Sequence, residues 1–160
     1  MSAELRERIV AEALTWLQTS WHHRGNVKGA GVDCAHFVKA PFVACGVIAD
    51  FDLGYYSSDW HLHQDRPRFL QRLAEYAEPL PAGEDGLPGD IAMFEYGRHA
   101  AHGSIVIGWP LIVHAYVKEH RVTVSDAVRD ADLAQRFAGF WRLKGLPPLS
   151  SLLSPLGVQK

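Results

Sequence analysis

The stretch Gly29-Ala30-Gly31-Val32-Asp33-Cys34-Ala35-His36-Phe37-Val38 decides how this chain is interpreted. It passes from a glycine-rich segment through Asp33 into an apolar run. Because Asp is a favoured N-cap, the pattern predicts a helix whose first turn contains Cys34. Unpaired backbone N–H groups and the positive end of the helix dipole favour a thiolate there over a thiol. We therefore expect Cys34 to be a reactive cysteine.

Two histidines far along the chain supply the other groups that a cysteine nucleophile needs. His102 lies in His-Gly-Ser-Ile-Val-Ile-Gly and His114 in Leu-Ile-Val-His-Ala-Tyr, and both segments are typical of β-strands. One histidine would take the thiol proton, and the other would orient the first histidine. This arrangement predicts a thiol hydrolase. His99 is a rival base in an expected loop, and the strand that follows His102 favours His102. The alternative for His114 is a buried histidine bonded only to the backbone.

Bulk composition narrows the class of protein. With 160 residues, of which 48% are hydrophobic, the chain can form one domain with a proper core. A formal net charge of −2 and the lack of a basic stripe argue against a nucleic-acid partner. No apolar run has membrane-spanning length and the N-terminus has no signal-peptide core, so we expect synthesis in the cytoplasm and no membrane partner. Cys45 would lie about three helical turns from Cys34, too far for a disulfide, and is interpreted as structural.

The predicted elements place helices first and strands second, which indicates an α+β fold. Pro41 either kinks the Cys34 helix or starts a second helix, and Gly46 caps its end. The predicted helices span residues 3–18, 34–44, 65–77 and 126–136, and the predicted strands span 90–96, 102–108, 111–117, 121–124 and 137–143. We assign residues 1–145 to one domain and residues 146–160 to a Leu/Pro/Ser-rich tail.

Nine histidines raise the question of zinc. The candidates are His22-His23, His61-x-His63, His99-x-x-His102, His114 and His120. The chain has no His-Glu-x-x-His or Cys-x-x-Cys motif, so we expect neither a metal nor another cofactor.

An ordered set of short motifs resembles the NlpC-type cell-wall cysteine peptidases, in the version carried by phage tails and gene-transfer agents. The set covers about residues 8–143. Its members are residues 19–25 (Thr-Ser-Trp-His-His-Arg-Gly), 29–34, 56–60 (Tyr-Ser-Ser-Asp-Trp), 89–94 (Gly-Asp-Ile-Ala-Met-Phe), 102–108, 113–116 and 137–142.

The resemblance implies a papain-like fold in which the nucleophile helix packs on a central antiparallel sheet. It implies Cys34 as nucleophile, His102 as base and His114 as orienting group. The implied substrate is the peptidoglycan stem peptide, at a D-glutamyl–diaminopimelate type of bond. The implied partners are phage-tail or gene-transfer-agent structural proteins, with delivery to the cell wall as part of such a particle.

Two positions depart from the family pattern. Ser104 replaces the usual glycine, and Trp21 stands where a tyrosine usually helps to form the oxyanion hole. Trp21 or the adjacent His22 could donate a hydrogen bond instead. We expect Asp33 to anchor the loop as an N-cap, and Asp59 and Trp60 to line the substrate groove.

Two other functions remain open from the sequence. One is a non-catalytic structural tail or wall-binding module with the same fold. The other is a thiol acyltransferase, or a hydrolase of murein peptides in the cytosol, using the same three residues.

Overall fold

The computed structural model describes residues 2–54, 68–97 and 99–146. Asp59 and Trp60, and the predicted tail from residue 147 onward, lie outside these residues. In the described part of the chain the helices are α1 (Ser2–Leu14), α2 (Cys34–Ala44), α3 (Arg68–Tyr76) and α4 (Ala131–Arg136). The strands are β1 (Asn26–Val27), β2 (Gly31–Val32), β3 (Ala77–Pro79), β4 (Ile91–Tyr96), β5 (His99–Gly108), β6 (Leu111–Tyr116), β7 (Arg121–Asp126) and β8 (Phe137–Leu143).

Strands β3 to β8 form a six-stranded antiparallel sheet in the order β3-β8-β4-β5-β6-β7. Helices α1 and α2 contact β5, and α2 also contacts β6, while α4 contacts β4. The expected α+β fold, with the helix that starts at Cys34 packed on a central antiparallel sheet, is confirmed.

Side chains alternate between two separate cores because successive strand residues point to opposite faces of a sheet. Ile91, Met93, Ile105 and Val113 join the core formed with α1 and α2. Ala92, Phe94, Val106 and Ile112 join a second, smaller core with Leu133 of α4. These residues thus bury side chains on both faces of the central strands β4, β5 and β6.

A buried ion cluster ties the first helix to the sheet. Asp90, directly before β4, is fully buried and accepts hydrogen bonds from Arg6 of α1 at 3.0 Å and from Arg142 of β8 at 2.7 Å. It also accepts from the backbone N–H of Leu87 at 2.8 Å. Arg142 reaches Glu84 as well, at 3.1 Å. Removing one member would leave buried charge unpaired, so this cluster should matter for stability.

Helix α2 has strong signals at both ends. Asp33 is its N-cap, with an extended backbone and a side chain that accepts from the His36 N–H. At the other end Gly46 has φ +73°, its N–H donates to the Val43 carbonyl, and the Val47 N–H donates to the Phe42 carbonyl. This pair of bonds is a Schellman ending, as expected for Gly46. Pro41 lies inside one continuous helix, so the alternative of a second helix is wrong; only the last turn follows it.

Several other predicted bounds need correction. Helix α1 ends at Leu14 instead of 18, because the N–H groups of Trp16 and Leu17 donate three residues back, to Ala13 and Leu14, instead of four. Strand β7 continues to Asp126, and α4 starts only after its N-cap Asp130, so the helix predicted from 126 is too long. His99 is the first residue of β5 rather than part of a loop.

The short strands β1, β2 and β3 were not expected, since each consists of only two or three residues. Within the described residues, no helix combines the length and apolar character needed to cross a membrane.

Candidate active site

Cys34 is the first residue of α2, and neighbouring backbone groups surround its sulfur. The N–H groups of Cys34, Ala35 and Gly103 all hydrogen-bond the thiol. Gly103 follows His102 in β5, so the fold brings the start of α2 next to the expected base. Cys34 is partly exposed as a residue, although its sulfur is buried.

The thiol is not activated in the way the sequence predicts. Burial of the sulfur, followed by the negative charge of Asp33, raises the pKa of Cys34 to about 12. The three backbone N–H groups lower the pKa, but they do not offset these two effects. This direction runs against the resting thiolate expected from the helix start, because the dipole argument leaves out desolvation and the adjacent carboxylate.

Asp33 has the anchoring role that the sequence suggested. One carboxylate oxygen accepts from both the N–H and Nδ1 of His36, at 3.0 and 2.9 Å. The other oxygen accepts from the backbone N–H of Arg24 at 2.9 Å. Asp33 thus joins the loop before the β1–β2 hairpin to the start of α2, and so fixes where Cys34 lies.

His102 and His114 are brought into direct contact from neighbouring strands. Nε2 of His102 lies 2.8 Å from Nδ1 of His114, and the ring planes meet at 62°. Both rings are buried, with exposures of 7% and 0%. Burial lowers the pKa of His102 to about 4, and burial together with the nearby His102 lowers the pKa of His114. Both imidazoles are therefore neutral at pH 7.

The second ring nitrogen of His114 is also occupied. Its Nε2 lies 2.9 Å from Oγ of Ser125 on β7. The predicted strand ended at residue 124, so Ser125 was missed. The signal that could have found it is the alternation of polar Arg121, Thr123 and Ser125 with valine in that strand.

Two tyrosines beside His102 were also missed by sequence reasoning. Their ring centroids lie 5.8 Å (Tyr96) and 6.0 Å (Tyr116) from that of His102. The Tyr116 hydroxyl donates to Asp132 at 3.4 Å. Burial, followed by the charge of Asp132, raises the pKa of Tyr96 to about 12, and the charge of Cys34 contributes to this shift. Tyr96 therefore lies beside the expected base.

Trp21 and His22 lie on the segment just before the β1–β2 hairpin. Trp21 is half-buried against the α1–α2 core, and its backbone N–H donates to the His120 carbonyl at 2.8 Å. His22 is exposed, and its Nδ1 lies 3.0 Å from the carbonyl of His23. Their role as oxyanion donors stays a prediction.

Ser104, the other departure from the family pattern, is fully buried and donates from its hydroxyl to the Ala92 carbonyl at 3.1 Å. Its side chain is thus accommodated within the β4–β5 pair.

Metal ligands do not gather in the described part of the chain: no three His, Cys, Asp or Glu residues there lie close enough to hold one ion. His61 and His63, two members of the zinc alternative, fall outside the described residues.

Comparison with known proteins shows which solved structures share this fold. No protein-family model and no curated protein sequence matches the chain. Solved structures do match. An NLP/P60 family protein similar to a lipoprotein, from Staphylococcus aureus, aligns with a TM-score of 0.65 at 16% identity, covering 92% of this chain and 43% of that one. The peptidoglycan hydrolase RipB from Mycobacterium tuberculosis aligns with a TM-score of 0.61 at 18% identity, covering 92% and 67%.

The NlpC/p60 domain of the peptidoglycan hydrolase SagA aligns with a TM-score of 0.53 at 18% identity, covering 85% of this chain and 96% of that domain. The chain thus spans less than half of the staphylococcal protein but nearly all of an isolated domain. At these identities the likeness concerns the backbone arrangement. The chain has the NlpC/P60 fold.

Proposed function

We propose that this protein is a cysteine hydrolase of peptidoglycan stem peptides, with Cys34 as nucleophile, His102 as base and His114 as orienting group. The observation that carries the proposal is the 2.8 Å contact between His102 and His114. His102 lies on β5, and the next residue of that strand, Gly103, has its backbone N–H at the Cys34 sulfur. RipB and SagA, which share the fold, are peptidoglycan hydrolases, and this supports the choice of substrate.

The proton route follows from the contacts of His102. Its Nε2 is engaged by His114, so Nδ1 is the nitrogen left to accept the thiol proton. The S–H bond breaks as Nδ1–H forms, and the sulfur attacks the scissile carbonyl to give a tetrahedral intermediate. Because burial favours the neutral thiol and the neutral imidazole, we place this transfer after substrate binding.

The backbone N–H groups at the start of α2 are suited to stabilise the oxyanion. The N–H groups of Cys34 and Ala35 lie close enough to the sulfur to lower the pKa of the thiol, so they would be near a carbonyl group bonded to that sulfur. One such donor typically contributes about 3 kcal/mol to lowering the barrier. The low pKa of His102, about 4, makes its protonated form a strong acid for the leaving amine.

The bond and the setting follow from the family resemblance. We propose the D-glutamyl–diaminopimelate type of bond as the cleavage site. We also propose that the protein acts on the wall as part of a phage-like particle, with tail or gene-transfer-agent proteins as partners. Mass spectrometry of purified particles would find this chain at fixed stoichiometry, and particles that lack it would contradict the proposed delivery.

The decisive experiment is digestion of purified muropeptides followed by mass analysis. The wild-type protein should release fragments split at one bond, and Cys34→Ala should release none. Cys45→Ala is the matched control, because it removes the other cysteine, at the C-cap of α2, and should leave the products unchanged. If wild type and Cys34→Ala give the same result, the proposed function is wrong.

A second candidate is a non-catalytic wall-binding module of the same fold. The observation that favours it is the high pKa of the Cys34 thiol. Such a module would sediment with intact sacculi and release no fragments, and Cys34→Ala would bind as well as wild type.

A further inference from the structure

Ser125 completes a hydrogen-bonded chain that begins at the proposed base. Oγ of Ser125 lies 2.9 Å from Nε2 of His114, and Nδ1 of His114 lies 2.8 Å from Nε2 of His102. The cross-strand register explains the contact. Ser125 pairs with Ile112 on β6, so its side chain shares a face with His114 and approaches it diagonally.

These two hydrogen bonds can be donated in either direction, and only one direction leaves His102 able to act as a base. Burial keeps both histidines neutral, so each ring carries a single N–H. If His102 donates from Nε2 to His114, then His114 donates from its own Nε2 to Ser125, and Nδ1 of His102 has a free lone pair. In the opposite direction Ser125 donates to His114, His114 donates to His102, and Nδ1 of His102 already carries the proton.

We propose that Ser125 is a positioning residue that accepts from Nε2–H of His114 and thereby sets the tautomer of both histidines. This proposal rests on the proposed function, because the tautomer matters only if His102 takes the thiol proton at Nδ1. Ser125 is partly exposed, so its hydroxyl hydrogen can point to solvent while the oxygen accepts. A hydroxyl in this place satisfies a buried N–H that would otherwise be unpaired.

Two measurements test the role of Ser125. Nitrogen-15 NMR of the histidine rings should show the Nε2–H tautomer for His102 and His114 in the wild-type protein. Ser125→Ala should shift His114 toward the Nδ1–H form and lower kcat on muropeptides about 10- to 100-fold, with little change in KM. Ser125→Thr keeps the hydroxyl and should restore both the tautomer and the rate.

Thr123→Val is the matched control. Thr123 lies directly opposite His114 in the sheet, yet its hydroxyl donates to the Val124 carbonyl, at 3.5 Å. This variant should leave both readouts unchanged. A wild-type His114 in the Nδ1–H form, or a Ser125→Ala variant with unaltered tautomers, would overturn the role of Ser125. Failure of the wild type to cleave muropeptides would instead overturn the proposed function, and the ring spectra would still test Ser125.

Discussion

The resting state of Cys34 can be read from the rate at which it is alkylated. A thiol with a pKa of about 12 contains about a thousandfold less thiolate at neutral pH than one with the ordinary value of 9.0. A more basic thiolate is intrinsically more nucleophilic, and a Brønsted coefficient of about 0.4–0.5 offsets part of this loss. The net expectation is alkylation about 50-fold slower than for an ordinary thiol at pH 7.5.

The assay is iodoacetamide labelling of the Cys45→Ser variant, followed by intact mass from pH 6 to 10. The same variant unfolded in urea provides the reference rate. The slope of the labelling rate against pH reports the charge state of the Cys34 sulfur, whereas limited access of iodoacetamide would lower the rate equally at every pH. A resting thiol gives a rate that rises about tenfold per pH unit up to pH 10, since thiolate remains a minor species throughout.

The charge of Asp33 can be removed while its cap is retained. Asp33→Asn keeps an oxygen for the His36 N–H, and it should speed labelling at neutral pH because the charge of Asp33 contributes to the raised pKa of Cys34. Asp130→Asn makes the same change at the N-cap of α4 and should leave the rate unaltered. A plateau of fast labelling between pH 5 and 8 would refute the reasoning, because it is the behaviour of a preformed thiolate–imidazolium pair.

Three further predictions concern stability. Asp90→Asn removes the buried carboxylate that Arg6 and Arg142 share and should cost about 3–5 kcal/mol, lowering Tm by roughly 10 °C in thermal denaturation followed by circular dichroism. Because His102 has a folded pKa of about 4 and an unfolded pKa near 6.5, unfolding takes up a proton between these values. His102 therefore does not reduce the free energy of unfolding above pH 6.5. Between pH 6.5 and pH 4 the free energy of unfolding, measured by urea titration, should fall by about 3 kcal/mol. Gly25→Ala would place a Cβ 2.6 Å from the Gly31 carbonyl carbon, so we expect a loss of more than about 2 kcal/mol by the same titration and a disturbed start of α2.

Each of these has a control within the chain. Glu84→Gln removes the more exposed partner of Arg142 and should lower stability by less than about 1 kcal/mol. If Asp90→Asn lowered stability by no more than Glu84→Gln, the importance of the buried cluster would be contradicted. His102→Gln should flatten the pH dependence of stability. An unchanged loss of stability in acid would show that the proton taken up on unfolding binds to another group. Gly108→Ala meets nothing within 4 Å, and a loss as large as that of Gly25→Ala would argue against the steric reason.

Local signals in the sequence were sufficient to locate the element that begins the candidate site. Asp33 caps α2 and Gly46 ends it, because caps depend on a few consecutive residues. The strands around His102 and His114 were also located by their alternation and apolar runs. Errors arose at element ends, where turn bonds at Thr15 and the extension of β7 decide the bounds.

The tertiary structure decided the electrostatics of the site and its outer members. The pKa of Cys34 depends on how much water the surrounding chain excludes, a sum over residues distant in sequence, and this sum exceeds the local effect of the helix start. Ser125 and Tyr96 reach the histidines only through strand register and ring packing. Capping acts over one helical turn, whereas desolvation and cross-strand contact exist only after separate segments have packed together.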